Sequence, residues 1–341
     1  MKPLRIATYN VEWFNALFDE RGRLLEDGEW SSRYQVTRAQ QLTGLGVVFT
    51  AMDADAVMII EAPDDSRPRK TVAMLERFAA RFDLRCRKAI IGFDNGTQQE
   101  IAMLYDPDVL TLHHDPQGGG PGQAPRFDQT FPLDLDHDGR PDLVSFNKPP
   151  LEIAAVTKAG FHFRMIGVHA KSKSPHGATT PEQLRRIAIE NRKKQLAECI
   201  WVRQRVLDLF KTGASVIVMG DLNDGPGLDE YEKLFGRSGV EVLLGWDEPP
   251  ETRLYDAHAH VAFGKKLAAA PTTARFYLDR EKRYFSALLD YVMVSPDLRA
   301  RKPKWRIWHP FDDVSCYQTP ELREALLQAS DHFPVSIDLT L

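Results

Sequence analysis

A layered α/β fold with mixed, largely antiparallel sheets is predicted by two features of the 341-residue chain. Short apolar runs alternate with amphipathic stretches through the whole length, and tight turns join several neighbouring runs. The runs Leu4–Asn10, Ala56–Glu61, Arg87–Ile91, Ile101–Tyr105, Leu151–Thr157, Phe161–His169, Ser215–Asp221, Ala287–Val294 and Pro334–Leu341 read as strands. Lys158-Ala159-Gly160 and Asp94-Asn95-Gly96 read as hairpin connections, which gives the sheets their antiparallel character.

The clearest helix opens with Thr180 as N-cap, Pro181 at the first helical position and Gln183 closing a capping box, and it stops near Gly213. Leu184, Ile187, Ala188, Leu196, Cys199, Ile200, Val206, Leu209 and Phe210 fall on one face of it. Arg185, Arg186, Arg192, Lys193, Lys194, Arg203 and Arg205 form either a solvated face or one that meets a polyanion. Further helices are expected over Arg33–Met52 and Arg69–Arg81, and loops over Asp115–Gly122 and Gly245–Pro271.

An apolar share of 43% supports a substantial core, and neither repeats nor low-complexity tracts interrupt it. The formal charge of −4 excludes a global basic field, so a polyanion would have to be held by a local patch. Cys86, Cys199 and Cys316 are far apart with no CxxC pair, which argues against a disulfide framework or thiolate zinc site and for buried free thiols. The N-terminal residues contain no apolar run that reads as a signal peptide or membrane span. A cytoplasmic location is the default expectation, with a secreted or periplasmic one open to a processed chain.

Six segments place carboxylate, amide or imidazole groups at the ends of predicted strands. They are Thr8-Tyr9-Asn10-Val11-Glu12, Met58-Ile59-Ile60-Glu61, Gly167-Val168-His169-Ala170-Lys171-Ser172, Met219-Gly220-Asp221-Leu222-Asn223-Asp224, Leu289-Asp290-Tyr291-Val292 and Ser330-Asp331-His332-Phe333-Pro334. Singly, each is commonplace. Together and in this order they resemble the signature of the endonuclease/exonuclease/phosphatase superfamily, typified by deoxyribonuclease I and exonuclease III. The resemblance runs from residue 8 to residue 334. It implies a single domain over 1–341 and a four-layer α/β/β/α sandwich whose active site lies at one edge of two packed sheets.

The chemistry accounts for the residue types. In-line hydrolysis of a phosphate ester needs a nucleophilic water, relief of charge on the phosphorus oxygens and help for the departing oxygen. Hard oxygen ligands suit Mg²⁺ or Mn²⁺, which takes one or two protein carboxylates and keeps several waters. By resemblance, Glu61 is the principal metal carboxylate, with Asn10 beside it and Asp331 in or next to the coordination shell. Glu12, two residues beyond Asn10, is a further candidate at a position that varies in the family. Asp221 and Asn223 would orient the attacking water and hold a phosphate oxygen, with Asp221 as the base. His332 would contact the phosphate or activate water while Asp290 sets its tautomer, and His169 is the second imidazole. His113, His114, His258 and His260 have no motif around them and read as structural.

Ser145-Phe146-Asn147-Lys148-Pro149-Pro150-Leu151 departs from many relatives, which carry arginine where Lys148 stands. Lysine keeps the positive charge near the phosphate but loses the planar two-pronged donor. Just upstream, Asp134, Asp136, Asp138 and Asp142, with Gly139 at the sharp turn, resemble the short calcium-binding loop of integrin-type repeats, the alternative being an acidic turn without metal.

His169-Ala170-Lys171-Ser172-Lys173-Ser174 is similar to the His-x-Lys-Ser-Lys stretch of secreted bacterial nucleases, although Val168 replaces their leading asparagine. Basic and aromatic residues also alternate over residues 280–285 and 301–309, a mixture that could track a nucleic-acid backbone and stack on bases, or form an edge strand with solvated charges. The expected activity is therefore metal-dependent hydrolysis of DNA, with RNA as a further substrate, by a monomer with no protein partner. The alternatives are a phosphomonoesterase, a phosphodiesterase acting on small molecules or lipid headgroups, and a non-catalytic binder of a phosphate ligand.

Overall fold

The computed structural model describes residues 2–135, 139–175, 177–225, 235–264, 270–278 and 282–341. Asp136, Asp138, Arg280 and Glu281 lie outside the described residues.

In chain order the strands are β1 (Leu4–Asn10), β2 (Ala56–Ala62), β3 (Lys88–Ile91), β4 (Glu100–Tyr105), β5 (Leu110–His114), β6 (Phe131–Leu133), β7 (Asp142–Val144), β8 (Leu151–Thr157), β9 (His162–His169), β10 (Val216–Asp221), β11 (Ala274–Leu278), β12 (Arg283–Ala287), β13 (Asp290–Val294), β14 (Lys304–Ile307) and β15 (Val335–Leu339). The principal helices are α1 (Arg38–Met52), α2 (Thr71–Arg81), α3 (Pro181–Lys211), α4 (Gly239–Leu244), α5 (Ala257–Gly264), α6 (Pro296–Ala300), α7 (Val314–Gln318) and α8 (Pro320–Ala329).

Six strands form one sheet in the order β14-β15-β1-β2-β4-β3, and five form a second in the order β13-β10-β9-β8-β5. Only β1/β2 and β9/β10 pair in parallel within these two sheets. Side-chain alternation sorts the residues into layers. Ile6, Met58 and Ile60 of the first sheet pack against Ile153, Met165, Ile217 and Met219 of the second. Ala7, Tyr9, Val57 and Ile59 turn outward onto Leu45, Phe49, Phe78 and Leu326 of α1, α2 and α8. On the far side, Ile166, Val168, Val216 and Val218 meet Trp201, Val202 and Val206 of α3. Helices, two sheets and helices thus make the expected four layers.

Several differences from the sequence reading have local causes. Residues 287–294 are not one strand: β12 closes a hairpin with β11, and after Leu288-Leu289 the chain enters the second sheet as β13. The first helix begins at Arg38 rather than Arg33, because the Thr37 hydroxyl and the Gln40 side chain form a reciprocal capping box there. Arg192, Arg203 and Arg205 do not belong to a solvated face. They are buried, and each pairs with an acid, Asp224, Glu248 and Glu152 respectively. Desolvated guanidinium groups require such partners. The three cysteines are free and buried, as expected. No helix among the described residues is long and apolar enough to cross a membrane.

Candidate active site

Strand register assembles half of the site. His169 at the end of β9 is the register partner of Asp221 at the end of β10, and Asp221 is the partner of Asp290 at the start of β13. Three candidate side chains therefore stand side by side along one edge of the second sheet. Gly220 makes this close approach feasible: its φ is +136°, and a Cβ there would lie 2.0 Å from the Val168 carbonyl oxygen.

The first sheet supplies Asn10 and Glu61 at the same edge. Glu61 is the extra residue of a β-bulge, where the β2/β4 register shifts between Ile60 and Ala62, and it adopts φ 62°. A bulge re-aims a side chain that regular pleating would send elsewhere. Asn223 also has positive φ, 49°, and follows the end of β10, so a turn rather than strand alternation brings it to the site. Its Nδ2 donates to the Ala170 carbonyl at 3.1 Å and to Asp221 Oδ2 at 3.3 Å.

Asp221 lies at the centre. Its Oδ1 accepts from the Asn223 backbone N–H at 2.7 Å and its Oδ2 from Asn10 Nδ2 at 3.0 Å. His169 Nε2 and His332 Nε2 stand 3.8 Å and 4.0 Å from Oδ2. Burial raises the Asp221 pKa above the ordinary carboxylate range, although His332 opposes that shift. His332 Nδ1 lies 2.8 Å from Asp290 Oδ2. Burial alone would lower this imidazole, but Asp290, Asp221 and Asp331 together raise its pKa well above the ordinary value, which favours the protonated form. His169 goes the other way, lowered by burial and by the neighbouring Lys148 cation. Lys148 Nζ is 3.0 Å from His169 Nε2, and burial lowers its own pKa against the pull of Glu61 and Asp221.

The loop carrying Asp331 and His332 is stitched to both sheets. Ser330 Oγ donates to the Asn10 carbonyl at 2.8 Å and accepts from the His332 N–H at 3.1 Å. Thr273 Oγ1 accepts the N–H groups of Leu289 and Asp290, both at 3.0 Å, and the Thr273 carbonyl accepts from the Phe333 N–H.

These groups line a cleft of about 580 Å³ that contains Asn10, Glu61, Asn147, Lys148, His169, Asp221, Asn223, Asp331 and His332. Asp290 supports it from behind. Asp221, Asp290 and His332 bring ligand-capable atoms within 4.8 Å of one another, making a candidate metal cluster. Asn10 Oδ1, Asp290 Oδ1 and Asp331 Oδ1 are buried without a hydrogen-bond partner. The unpaired buried oxygens of Asn10 and Asp331, in the cleft that Glu61 also lines, are donors of the kind a hard divalent cation takes, so the residues present fit Mg²⁺ or Mn²⁺.

Other sequence-derived candidates are engaged by neighbours or lie apart from this cleft. Glu12 lines it but is engaged by Arg33 in an ion pair. Asp134 and Asp142 flank the β6–β7 connection: Asp134 Oδ2 accepts from the Gly139 N–H at 2.9 Å, and Asp142 pairs with Lys193 at 2.8 Å. Gly139 has the expected positive φ of 83°, while Asp136 and Asp138 lie outside the described residues.

The sequence reading missed Trp13, Thr97, Gln99 and Glu198, all of which line the cleft. Trp13 donates its backbone N–H to Glu61 Oε2 at 3.0 Å. Glu198 of α3 accepts from the Lys171 N–H at 2.7 Å, and burial pushes its carboxyl up to about 7. Its signal was a lone acid between Ala197 and Cys199 in the most buried part of a long helix.

Residues 7–332 match the Endonuclease/Exonuclease/phosphatase family. The chain belongs to that family. Among solved structures it is similar to TDP2 from C. elegans (14% identity, TM-score 0.50, covering 99% of this chain and 75% of that one). It is also similar to a mannosyl-6-phosphatase of Bacteroides thetaiotaomicron VPI-5482 (16% identity, TM-score 0.51, covering 99% and 100%). A third is ANGEL2, a 2',3'-cyclic phosphatase solved with adenosine-2',3'-vanadate (11% identity, TM-score 0.53, covering 100% and 96%). At these identities the likeness is one of fold. No curated protein sequence matches the chain.

Proposed function

We propose that this family member is a Mg²⁺- or Mn²⁺-dependent phosphodiesterase whose main substrate is DNA, with RNA as a second. The observation that carries the reading is the facing of two groups across one cleft. His169, Asp221 and Asp290 come from three adjacent strands of one sheet, Asn10 and Glu61 come from strands of the other, and Asp331 comes from the loop that leads into β15.

Each residue's role follows from its surroundings. Asp221, with a raised pKa and two fixed donors, is the proton acceptor for the attacking water. Asn223 holds Asp221 through its backbone N–H and its side-chain amide. His332 is kept protonated by Asp290 and presents Nε2 to a non-bridging oxygen. Neutral His169 and the Lys148 ammonium form the opposite wall, where Lys148 supplies positive charge in a partly dry setting. Glu61, Asn10 and Asp331 are the residues that would hold the divalent ion, which when bound supplies Lewis-acid relief of charge on the phosphate. His332 is a poor ligand in this scheme because a protonated imidazole donates rather than coordinates. Asp134, Asp136, Asp138 and Asp142 are the residues that would hold a separate structural Ca²⁺.

Plasmid DNA, bis-p-nitrophenyl phosphate and p-nitrophenyl phosphate, each with Mg²⁺, Mn²⁺ or EDTA, separate the readings. Cleavage of the plasmid and of the diester with metal, and none in EDTA, is expected. Rapid monoester turnover with intact plasmid would reject the diesterase reading.

A further inference from the structure

A second groove of about 680 Å³ opens beside the cleft and shares Glu12 and Asp331 with it as a common wall. Its other side is built by Tyr34, Arg275, Tyr277 and Tyr284. Three aromatic rings are unusually accessible there: Tyr34 is 85% exposed, Tyr284 57% and Tyr277 45%. Large rings are seldom left this open in a cluster without a binding role. Two of the three are also held in place. Tyr277 and Tyr284 are register partners across the β11–β12 hairpin with ring centroids 5.2 Å apart, and the Arg275 guanidinium lies 4.6 Å from the Tyr284 ring centroid.

The hairpin is fastened to the catalytic loop. The Arg275 N–H donates to the Asp331 carbonyl at 2.7 Å, and Ala274 forms a β-bridge with His332. Any group seated on these rings therefore has a fixed position relative to the proposed phosphate-binding groups. A ligand that offers phosphates to the cleft and planar aromatic groups to the adjoining rings, at short regular intervals, is a polynucleotide with its bases unstacked. Arg275 adds cation–π and electrostatic attraction suited to such a strand.

We infer that Tyr34, Tyr277, Tyr284 and Arg275 form a base-stacking subsite that seats a single-stranded nucleic-acid flank next to the scissile phosphate. The inference rests on the nucleic-acid reading above, and binding without turnover can test it separately. Anisotropy of a fluorescein-labelled single-stranded DNA 12-mer is measured in EDTA for the wild type and for the variants Tyr277→Ala/Tyr284→Ala and Tyr277→Phe/Tyr284→Phe. Turnover of bis-p-nitrophenyl phosphate with Mg²⁺ is followed in parallel as a control for fold and chemistry.

The expected result is a Kd raised tenfold or more in the alanine pair and within twofold of wild type in the phenylalanine pair, with small-diester turnover unchanged in both. An alanine pair that binds the strand like wild type would overturn the subsite while leaving the nuclease reading intact. Wild-type protein that hydrolyses the small diester but neither binds nor cuts DNA would overturn the nucleic-acid reading and the subsite with it. A concentration-dependent dimer that dissociates in the alanine pair would assign the rings to a second copy and also overturn the subsite.

Discussion

The two ends of the sandwich both collect acidic residues, and they treat them in opposite ways. At the end away from the cleft, Asp55 and Asp106 are almost fully buried, and Arg85 bridges them at 3.0 and 2.9 Å. Arg87 adds a second contact to Asp106, Arg85 also binds Asp53, and Arg5 pairs with Asp338 at 2.7 Å. At the cleft end, Asp221 and Asp290 are equally buried, but their partners are imidazoles, amides and backbone N–H groups, and Asn10 Oδ1, Asp290 Oδ1 and Asp331 Oδ1 are left unpaired. A guanidinium neutralises a carboxylate permanently and fixes it as architecture. Leaving the pairing incomplete keeps the acids available to a cation, a water proton or a phosphate.

The pKa directions follow the same division. Asp53 is partly desolvated, yet hydrogen bonds from Arg85 and Lys2 lower its pKa. Asp221 and Glu198 are raised because burial outweighs the groups that oppose it, chiefly His332 at Asp221 and the Lys171 N–H at Glu198.

The largest expected effect comes from breaking the cleft end. Asp221→Asn and His332→Ala should each lower kcat/KM for a diester by roughly 10³-fold or more. Removing the buried Asp221 charge should leave the melting temperature at or above that of wild type. Calorimetry beside steady-state kinetics checks both halves of this.

Glu198→Gln gives the next largest effect, read as stability against pH. The folded chain holds the Glu198 proton more tightly than the unfolded chain does, because its pKa rises from 4.5 to about 7 on folding. That contribution is fully present below pH 4.5 and is lost as pH rises through about 7. Wild type should therefore lose up to roughly 3 kcal/mol relative to Glu198→Gln across this window, measurable by urea denaturation at several pH values. A constant difference between the two proteins would refute the buried-acid assignment.

Arg85→Ala breaks the other end. It strands Asp55 and Asp106 without their main cation, and since Arg85 is itself partly exposed the expected cost is about 2 kcal/mol. Activity per folded molecule should not change, and a large fall in kcat would contradict the separation of the two ends. The smallest effect is expected from Lys148→Arg, which restores a two-pronged donor and should lower KM several-fold with kcat nearly constant.

Much of the candidate site was legible in the sequence because strand ends announce themselves. Asn10, Glu61, His169, Asp221 and Asp290 each close or open a β-branched or apolar run, and register then brings three of them together. What was hidden depended on partners distant in the chain. Arg192, Arg203 and Arg205 look like solvent-facing charges until the acids that neutralise them are located, at residues 224, 248 and 152. Glu198 looks like one more helical acid until the Lys171 N–H is found against it. The bulge at Glu61 and the left-handed turn at Asn223 carry no local glycine at those positions, so alternation alone misjudges how these side chains reach the cleft. The β11–β12 hairpin was masked because its second strand runs almost directly into β13.

Whether Glu61 and the unpaired oxygens of Asn10 and Asp331 hold a divalent cation is decided by the metal dependence of diester hydrolysis. Bis-p-nitrophenyl phosphate turnover is titrated with Mg²⁺ and with Mn²⁺ for wild type and for Glu61→Gln, starting from EDTA-treated protein. No turnover is expected before metal is added, and the half-saturating metal concentration should be at least tenfold higher in Glu61→Gln. Turnover that persists in EDTA, or a Glu61→Gln metal curve that overlays the wild type, would contradict it.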